Sequence, residues 1–222
     1  MSRLEGCQRC GACCRQGGPA LYGPDLALIR SGQLRLEDLI TVRQGELAFQ
    51  PLATTATPVL HEFLKLQGRE GTWCCTFYDE TSKGCRRYAH RPLACGLLDC
   101  GDTGPLLDIA GQDLLTRFDC IDRDEPILAL ILNHQEHNPC RDIQTVSDDF
   151  KQVRARVEIL ESLLEDVNLD LAFRSRTADT FHLSVAIELF YFGRPLFQLL
   201  LPLGIHPYNT PDGLRLGYRD PT

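Results

Sequence analysis

Four cysteines stand within eight residues near the start of the chain, in the sequence CQRCGACC: Cys7, Cys10, Cys13 and Cys14. Two C-x2-C pairs overlap in it, and Gly11 permits a tight turn between them. A C-x2-C pair curls so that both sulfurs face one metal ion, as in zinc knuckles. Three cysteines in C-x2-C-x2-C instead surround three corners of a cubane iron–sulfur cluster, with a distant cysteine as the fourth ligand. Adjacent side chains diverge, so Cys13 and Cys14 are not expected to share one metal atom. One of the two either serves a second metal or is simply buried.

A second group of cysteines follows at wider spacings: Cys75, Cys85, Cys95 and Cys100. None of these spacings is that of a knuckle, so the ligands would come from separate loops and meet only by folding. Such a site would join the N-terminal cysteines to the middle of the chain. Its metal would then stabilise the fold as well as any chemistry.

Composition favours thiol ligands over disulfides. The chain has 11 cysteines, an odd number, among 222 residues, and its start, MSRLEGC, has no apolar run of the kind found in secretory signals. We therefore expect a cytoplasmic protein, in which thiols stay reduced and clustered cysteines bind metals. The formal net charge of −7 predicts no nucleic-acid partner, because general nucleic-acid binders carry a basic surface.

Other interpretations of the cysteines and histidines compete with metal binding. Unligated core thiols are the alternative for every cysteine, because free cysteine is a common small core residue. That alternative is favoured for three cysteines outside the main groups: Cys74, Cys120 and Cys140. His134, His137 and Cys140 have the spacing of possible transition-metal ligands. His134, however, continues the apolar face of its predicted helix, which favours a structural role.

The pattern along the chain predicts an α+β fold that is mainly α-helical. We expect a small, irregular, metal-stapled cysteine region with short β-hairpins over residues 1–143, and a helical region over residues 144–222 packed on it. PDLALIRSG and LRLEDLITVRQGE are predicted as short helices, and LAFQPL and HEFLKLQG as extended segments. TWCCTFYD and GCRRY are predicted to pair as a hairpin around the turn DETSKG.

From Pro126 onward the pattern is helical. PILALILNHQEH places four residues on one helix face: Ile127, Leu130, Ile131 and His134. DDFKQVRARVEILESLLEDV predicts one amphipathic helix, capped by Asp148. Its apolar stripe is predicted to consist of Phe150, Val153, Val157, Leu160 and Leu164. A further helix is predicted over residues 181–192, apolar almost all round and therefore buried.

The apolar segment from Leu183 to Ile205 is long enough to span a bilayer, but charged residues and prolines interrupt it. Two buried helices broken at Gly193-Arg194-Pro195 fit the segment better, because Gly suits a helix end and Pro a helix start. We therefore expect no membrane partner.

The cysteine pattern resembles the bacterial YkgJ-type CxxCxxCC zinc/iron-chelating cysteine-cluster family. The matching elements are C-x2-C-x2-C-C at residues 7–14, Cys75-Thr76-Phe77, C-x2-Y-x2-R-P-x2-C at residues 85–95, and Cys100. The resemblance implies that all eight of these cysteines bind metal. Such proteins often have an arginine after the penultimate cysteine, where this chain has Gly96. Within the motif, Tyr88 and Arg91 are the candidates for cofactor binding. Arg91 either bonds or neutralises the thiolates or is an ordinary salt-bridged arginine.

Two kinds of metal centre and two kinds of function follow from these residues. The tandem spacing favours a 4Fe-4S iron–sulfur cluster, with zinc as the alternative, because both metals use thiolate ligands. The first functional hypothesis is a metal-binding module with a structural, sensing or metal-handling role. The second is an iron–sulfur enzyme, such as an oxidoreductase or a protein lysine N-methyltransferase. The latter follows the resemblance to flagellin lysine-N-methylase, in which an iron–sulfur centre accompanies methyl transfer from S-adenosylmethionine. No nucleophile-elbow or dinucleotide motif is present, so no catalytic residue is assigned.

Overall fold

The computed structural model of the chain describes residues 7, 9–50, 53–69, 72–138, 143–150 and 156–219. It combines helices with small antiparallel strand pairs, which confirms the predicted α+β class. The chain divides into two compact units. The first comprises Met1–Thr41 and Phe63–Asp122, and the second comprises Val42–Glu62 and Arg123–Thr222. All eight cysteines of the family-like motif belong to the first unit.

The secondary-structure elements are short except for one long helix. The helices are α1 Ala12–Arg15, α2 Leu26–Arg30, α3 Leu93–Leu97, α4 Gly104–Ile109, α5 Ile127–His137, α6 Ile143–Phe150, α7 Arg156–Phe181, α8 Val185–Phe192 and α9 Leu196–Leu200. The strands are β1 Leu39–Val42, β2 Leu47–Phe49, β3 Ala56–Pro58, β4 Phe63–Leu66, β5 Tyr78–Asp79, β6 Gly84–Cys85, β7 Ile205–Thr210 and β8 Gly213–Tyr218. The strands pair as β1–β4, β2–β3, β5–β6 and β7–β8.

Extended segments from three parts of the sequence hold the first unit together. The amide of Leu21 donates to the carbonyl of Leu64 at 2.8 Å, and the amide of Leu115 donates to the carbonyl of Leu21 at 2.9 Å. All three leucines are buried. Their burial stabilises the arrangement because each removes apolar surface from water.

The second unit has a core of helices packed with the β7–β8 hairpin. Its buried residues are Ile143, Val146, Phe150, Leu163, Val167, Leu196, Leu199, Leu200, Ile205 and Leu216. Helix α7 contributes Leu163 and Val167, and the same stripe continues at three- and four-residue steps through Asp170, Arg174 and Thr177, all of them buried. Residues at these steps share one helix face. The inward face of α7 therefore changes from apolar to polar along its length.

The polar half of that stripe stabilises the break between α8 and α9. The carboxylate of Asp170 accepts hydrogen bonds from Arg174 Nε at 2.9 Å and from the Leu196 amide at 2.9 Å, and its Oδ1 lies 2.7 Å from His134 Nε2. The Arg174 guanidinium donates to the carbonyls of Phe192 and Gly193 at 2.9 and 3.0 Å. Polar backbone groups exposed by a helix break need partners when they are buried, and these two side chains supply them.

Several predicted elements are confirmed. PDLALIRSG forms a 3-10 turn followed by α2, and Gly32 ends it with φ +72°. The DETSKG hairpin forms as β5–β6 with Tyr78 opposite Cys85. Helix α5 buries Ile127, Ile131 and His134, as its spacing predicts. The break at residues 193–195 lies between α8 and α9.

As a separate finding, no helix among the described residues is long and apolar enough to cross a membrane.

Other predictions are wrong. LRLEDLITVRQGE contains a 3-10 turn and strand β1 rather than a helix, because Ile40, Thr41 and Val42 are β-branched and favour a strand. Asp148 lies inside α6 and does not cap a helix. Residues 151–155, and Val153 with them, lie outside the described residues.

The apolar stripe of α7 and the start of α8 also differ from the prediction. Val157 is 67% exposed, because the buried stripe runs through Leu163 and Val167. Helix α8 begins at Val185 rather than at residue 181, after α7 ends at Phe181. His182 has φ +52° and Ser184 accepts a capping hydrogen bond from the Ile187 amide, which fixes the new start.

Candidate metal centre

All eight cysteines of the motif line one cavity in the first unit: Cys7, Cys10, Cys13, Cys14, Cys75, Cys85, Cys95 and Cys100. The cavity volume is about 60 Å³. One water molecule needs a cavity of roughly 10–15 Å³, so this cavity is several times larger than the space for a single water. Each cysteine that the structure describes is a free thiol. Folding therefore brings together thiols that are up to 93 positions apart in sequence.

The N-terminal cysteines are positioned by a tight turn and one turn of helix. Gly11 precedes α1 with φ +74°, and a Cβ at this position would overlap the ring and hydroxyl of Tyr78. Arg15, at the end of α1, donates to the Tyr78 hydroxyl at 3.1 Å and to the Cys10 carbonyl at 3.0 Å. The predicted turn at Gly11 is thus confirmed. Only glycine combines this backbone conformation with so close an approach.

Backbone pairing attaches the second cysteine group to the first. The amide of Cys75 donates to the carbonyl of Cys14 at 2.7 Å. Three residues later the chain enters the β5–β6 hairpin, in which Cys85 lies directly opposite Tyr78. The hairpin therefore returns Cys85 to the same side of the unit as Cys75.

Cys95 lies in α3, whose first turn is fixed by a buried carboxylate. Asp25 Oδ1 accepts a hydrogen bond from the Leu93 amide at 2.7 Å, and Asp25 Oδ2 accepts one from the Tyr22 amide at 2.9 Å. Burial raises the pKa of Asp25, although both hydrogen bonds oppose the rise. Cys100 follows α3 in an exposed turn. Asp25 thus positions Cys95 although it does not line the cavity itself.

The thiols raise one another's pKa. Burial raises the pKa of Cys14 to about 12, with further contributions from Cys13, Cys75 and Cys85. Burial also raises the pKa of Cys75 and of Cys95, and neighbouring thiols add to both shifts. Several thiolates at such a site need a compensating positive charge, because burial and like charges both disfavour the ionised form. A bound metal supplies that charge.

Four cationic side chains line the cavity: Arg9, Lys83, Arg87 and Arg91. The guanidinium carbons of Arg91 and Arg9 lie 3.8 and 4.3 Å from the centroid of the Tyr88 ring, and that of Arg87 lies 5.5 Å from the Phe77 ring. Arg9 and Lys83 both have positive φ, at 54° and 49°. Backbone strain of this kind concentrates at functional sites.

Among these four cations, only Arg91 is predicted from the sequence as a cofactor-binding residue. The other three are adjacent or nearly adjacent to motif residues in sequence, within CQRC, at SKGC and at CRR. That adjacency was the available signal. Arg91 forms no ion pair with a described carboxylate; it stacks on Tyr88 and lines the cavity together with that ring.

The remaining cysteines and histidines lie elsewhere. Cys74 is buried but does not line the cavity, and the half-buried Cys120 donates to the Thr116 carbonyl at 3.8 Å. His134 is bonded to Asp170 in the second unit, and the exposed His137 contacts the Asn133 carbonyl at 3.0 Å. Cys140 lies outside the described residues. The thiol cavity is therefore distinct from both histidines.

The arrangement of the thiols fits a metal centre by its chemistry. Within the described part of the chain, no three Cys, His, Asp or Glu side chains are already gathered as a single-ion site. The residues fit a metal centre because eight soft sulfur donors and several cationic side chains line the same cavity. Soft thiolates select zinc, copper(I) and iron–sulfur clusters.

Residues 6–103 match the family model CxxCxxCC, described as a "putative zinc- or iron-chelating domain". This part of the chain therefore resembles a CxxCxxCC domain. The match covers the motif that predicted the family and confirms that resemblance, and it assigns a zinc- or iron-chelating character to the cysteine-bearing part of the chain. Comparison with curated proteins and with solved structures gives no match. The second unit beyond residue 122 lies outside the CxxCxxCC match.

Proposed function

We propose that this protein is a metal-binding protein whose CxxCxxCC domain holds a cysteine-ligated centre of the iron–sulfur type. The observation that carries the proposal is the convergence of the eight motif cysteines on one cavity. Thiols this numerous and this close repel one another when ionised. A bound metal centre removes that repulsion and stabilises the fold of the unit.

A cluster fits the site better than one zinc ion. A structural zinc site closes four ligands tetrahedrally on one ion, whereas eight thiols line this cavity. A cluster needs room as well as ligands, which a cavity of about 60 Å³ provides. The C-x2-C-x2-C spacing of Cys7, Cys10 and Cys13 agrees with cubane ligation.

Zinc is the second candidate, and the family description supports it equally. The ligand type does not distinguish the two metals, since both use thiolates. We place the protein in the cytoplasm, where the thiols stay reduced until they bind metal.

Anaerobic purification followed by metal and sulfide analysis tests the proposal. We expect a brown protein with broad visible absorption, containing iron and acid-labile sulfide. The variant Cys10→Ser should lose iron and colour, whereas the control Cys120→Ser should retain both, because Cys120 does not line the cavity. A colourless protein with stoichiometric zinc would show that the site holds zinc, the second candidate, rather than an iron–sulfur cluster. A protein without iron or zinc under these conditions would refute the proposed function.

A further inference from the structure

We propose that the eight cysteines form two metal sites of four thiolates each, an outer site and an inner site. The outer site consists of Cys7, Cys10, Cys13 and Cys100, and the inner site consists of Cys14, Cys75, Cys85 and Cys95. The inference rests on the proposed function, because it divides the same cavity, and it holds for either metal.

Exposure distinguishes three of the four outer cysteines from every cysteine of the inner group. In the outer group Cys10, Cys13 and Cys100 are exposed and Cys7 is half-buried. In the inner group Cys75 is buried, and Cys14, Cys85 and Cys95 are half-buried. One centre ligated by all eight thiols would not be expected to sort them by depth. Two sites at different depths account for the contrast.

The two adjacent cysteines leave α1 in different directions, although their side chains remain within hydrogen-bond reach of each other. Cys13 and Cys14 are consecutive in α1, so their side chains leave the helix axis about 100° apart. Cys14 is tied to the inner group by the 2.7 Å hydrogen bond from the Cys75 amide to its carbonyl. Cys13 shares the C-x2-C-x2-C spacing with Cys7 and Cys10, which places it in the outer group. The doublet is thus the junction between two sites.

The charge of the cavity also fits two metal units. Zn²⁺ and an oxidised [4Fe–4S]²⁺ core are both dications, so two of them held by eight thiolates leave four negative charges. The cavity is lined by four cations, Arg9, Lys83, Arg87 and Arg91, and by no described carboxylate. A single dication with four thiolates would leave these cations in excess. Unbalanced charge at a partly buried site is unfavourable.

The two sites would differ in how readily they exchange metal. Solvent and chelators reach the exposed thiols of the outer site directly, whereas the inner site is shielded by Phe77 and Tyr78, both buried. We infer that the inner site keeps its metal for structure and the outer site takes up and releases zinc or iron.

Metal stoichiometry tests the division without any variant. Metal-free protein is reconstituted anaerobically with Zn²⁺ alone and analysed by native mass spectrometry. We expect two zinc ions per chain, released to a chromogenic chelator in two phases of equal amplitude. One zinc ion per chain would overturn the division while leaving metal binding intact. No bound zinc, with no iron in the protein as isolated, would refute the proposed function as well.

Serine variants of the adjacent cysteines assign the two phases. Cys13→Ser should lose one zinc ion and the fast phase, and Cys14→Ser should lose one zinc ion and the slow phase. Cys120→Ser serves as the control and should keep both ions. If Cys14→Ser fails to fold, Cys100→Ser still tests the outer site and should lose only the fast phase. Loss of both ions from Cys100→Ser would indicate one coupled centre and overturn the division.

Discussion

Gly11 determines whether the N-terminal cysteines can approach the rest of the cavity. It has φ +74°, and a Cβ there would overlap Tyr78, which is buried and bonded to Arg15. Gly32 has nearly the same φ, +72°, but a Cβ there meets nothing within 4 Å. Comparing substitutions at these two glycines therefore distinguishes the cost of backbone strain from the cost of steric overlap.

Gly11→Ala should destabilise the protein more than Gly32→Ala and should also lower its metal content. A left-handed non-glycine residue costs about 1–2 kcal/mol, and displacing a packed ring adds about 1–3 kcal/mol. Urea unfolding at fixed pH, with metal analysis of both variants, measures the difference. Equal losses of stability in the two variants would show that Tyr78 moves aside without cost.

Tyr88 holds two of the four cationic side chains at the cavity. The Arg91 and Arg9 guanidinium groups lie 3.8 and 4.3 Å from its ring centroid. The attraction comes from the aromatic face and is worth about 0.5–1 kcal/mol for each exposed pair. The hydroxyl is not needed for it.

Tyr88→Leu should therefore weaken metal binding about tenfold, because about 1–2 kcal/mol of cation–π attraction is lost. Tyr88→Phe keeps the aromatic face and should bind metal within about twofold of the natural chain. Competition with a chelator of known affinity measures both constants. If Phe weakens binding as much as Leu, the hydroxyl rather than the ring is the functional group.

At the scale of elements, α7 shows why part of the fold could not be predicted. Its buried stripe contains Asp170 and Arg174, and charged residues in a helix pattern ordinarily indicate a solvated face. Their burial depends on the break at residues 193–195, which provides amide and carbonyl partners. These hydrogen bonds join segments that are distant in sequence, so no local sequence pattern indicates them.

Asp170→Asn should destabilise the protein by about 3–5 kcal/mol, because removing one member of a buried charge pair leaves Arg174 uncompensated. Asp179 lies on the same helix and is exposed, so Asp179→Asn is the matched control and should change stability by about 0.5 kcal/mol or less. Chemical denaturation of both variants measures the effect. Similar values for the two would mean that Asp170 is not ionised in the folded state.

Local signals predicted other elements well. The DETSKG turn between two segments with strand-like patterns was sufficient to predict the β5–β6 hairpin. In contrast, LRLEDLITVRQGE was predicted as a short helix, yet its residues 39–42 pair with β4. The β7–β8 hairpin was missed, although Pro211-Asp212-Gly213 is a turn sequence of the usual kind. Pairing with the distant strand β4 decided the first case, whereas the β7–β8 hairpin is local and its turn sequence was the available signal.

At the level of the whole molecule, the cavity too could be predicted from the sequence only in part. The ordered spacing of the cysteines was sufficient to name all eight cysteines that line the cavity. The role of Asp25 in fixing α3, and the two depths of the thiols, depend on contacts between segments tens of residues apart. The spacing of the cysteines in the sequence does not indicate how deeply each thiol is buried in the fold.

The stability of the second unit should depend on pH through His134. Burial lowers the pKa of His134 to about 4, although the hydrogen bond to Asp170 opposes the shift. Nδ1 of this ring is buried without a partner, so a proton there would have no acceptor. Burial alone would raise the pKa of Asp170, but His134 and Arg174 outweigh it and hold that pKa below its usual value.

The unfolded chain takes up a proton at His134 near its ordinary pKa of about 6.5, whereas the folded chain does so only near pH 4. The stabilisation is therefore complete above pH 6.5 and is lost as the pH falls towards 4, by roughly 3 kcal/mol. His134→Gln keeps a donor towards Asp170 and should lose this dependence. Unfolding free energies at pH 7.5 and pH 4.5 for both proteins measure the difference. Identical pH profiles would mean that folding leaves the pKa of His134 unchanged.

The hydrogen bond between Cys14 and Cys75 joins residues 61 positions apart, and Cys100 completes the cavity lining. On the ribosome, Cys7 to Cys14 emerge long before the residues that enclose them. During that interval the nascent chain presents four accessible thiols to metals, oxidants and other chains. Assembly of the proposed centre would therefore wait for translation to pass Cys100. Metal binding to it would then be timed by synthesis of the chain as well as by affinity.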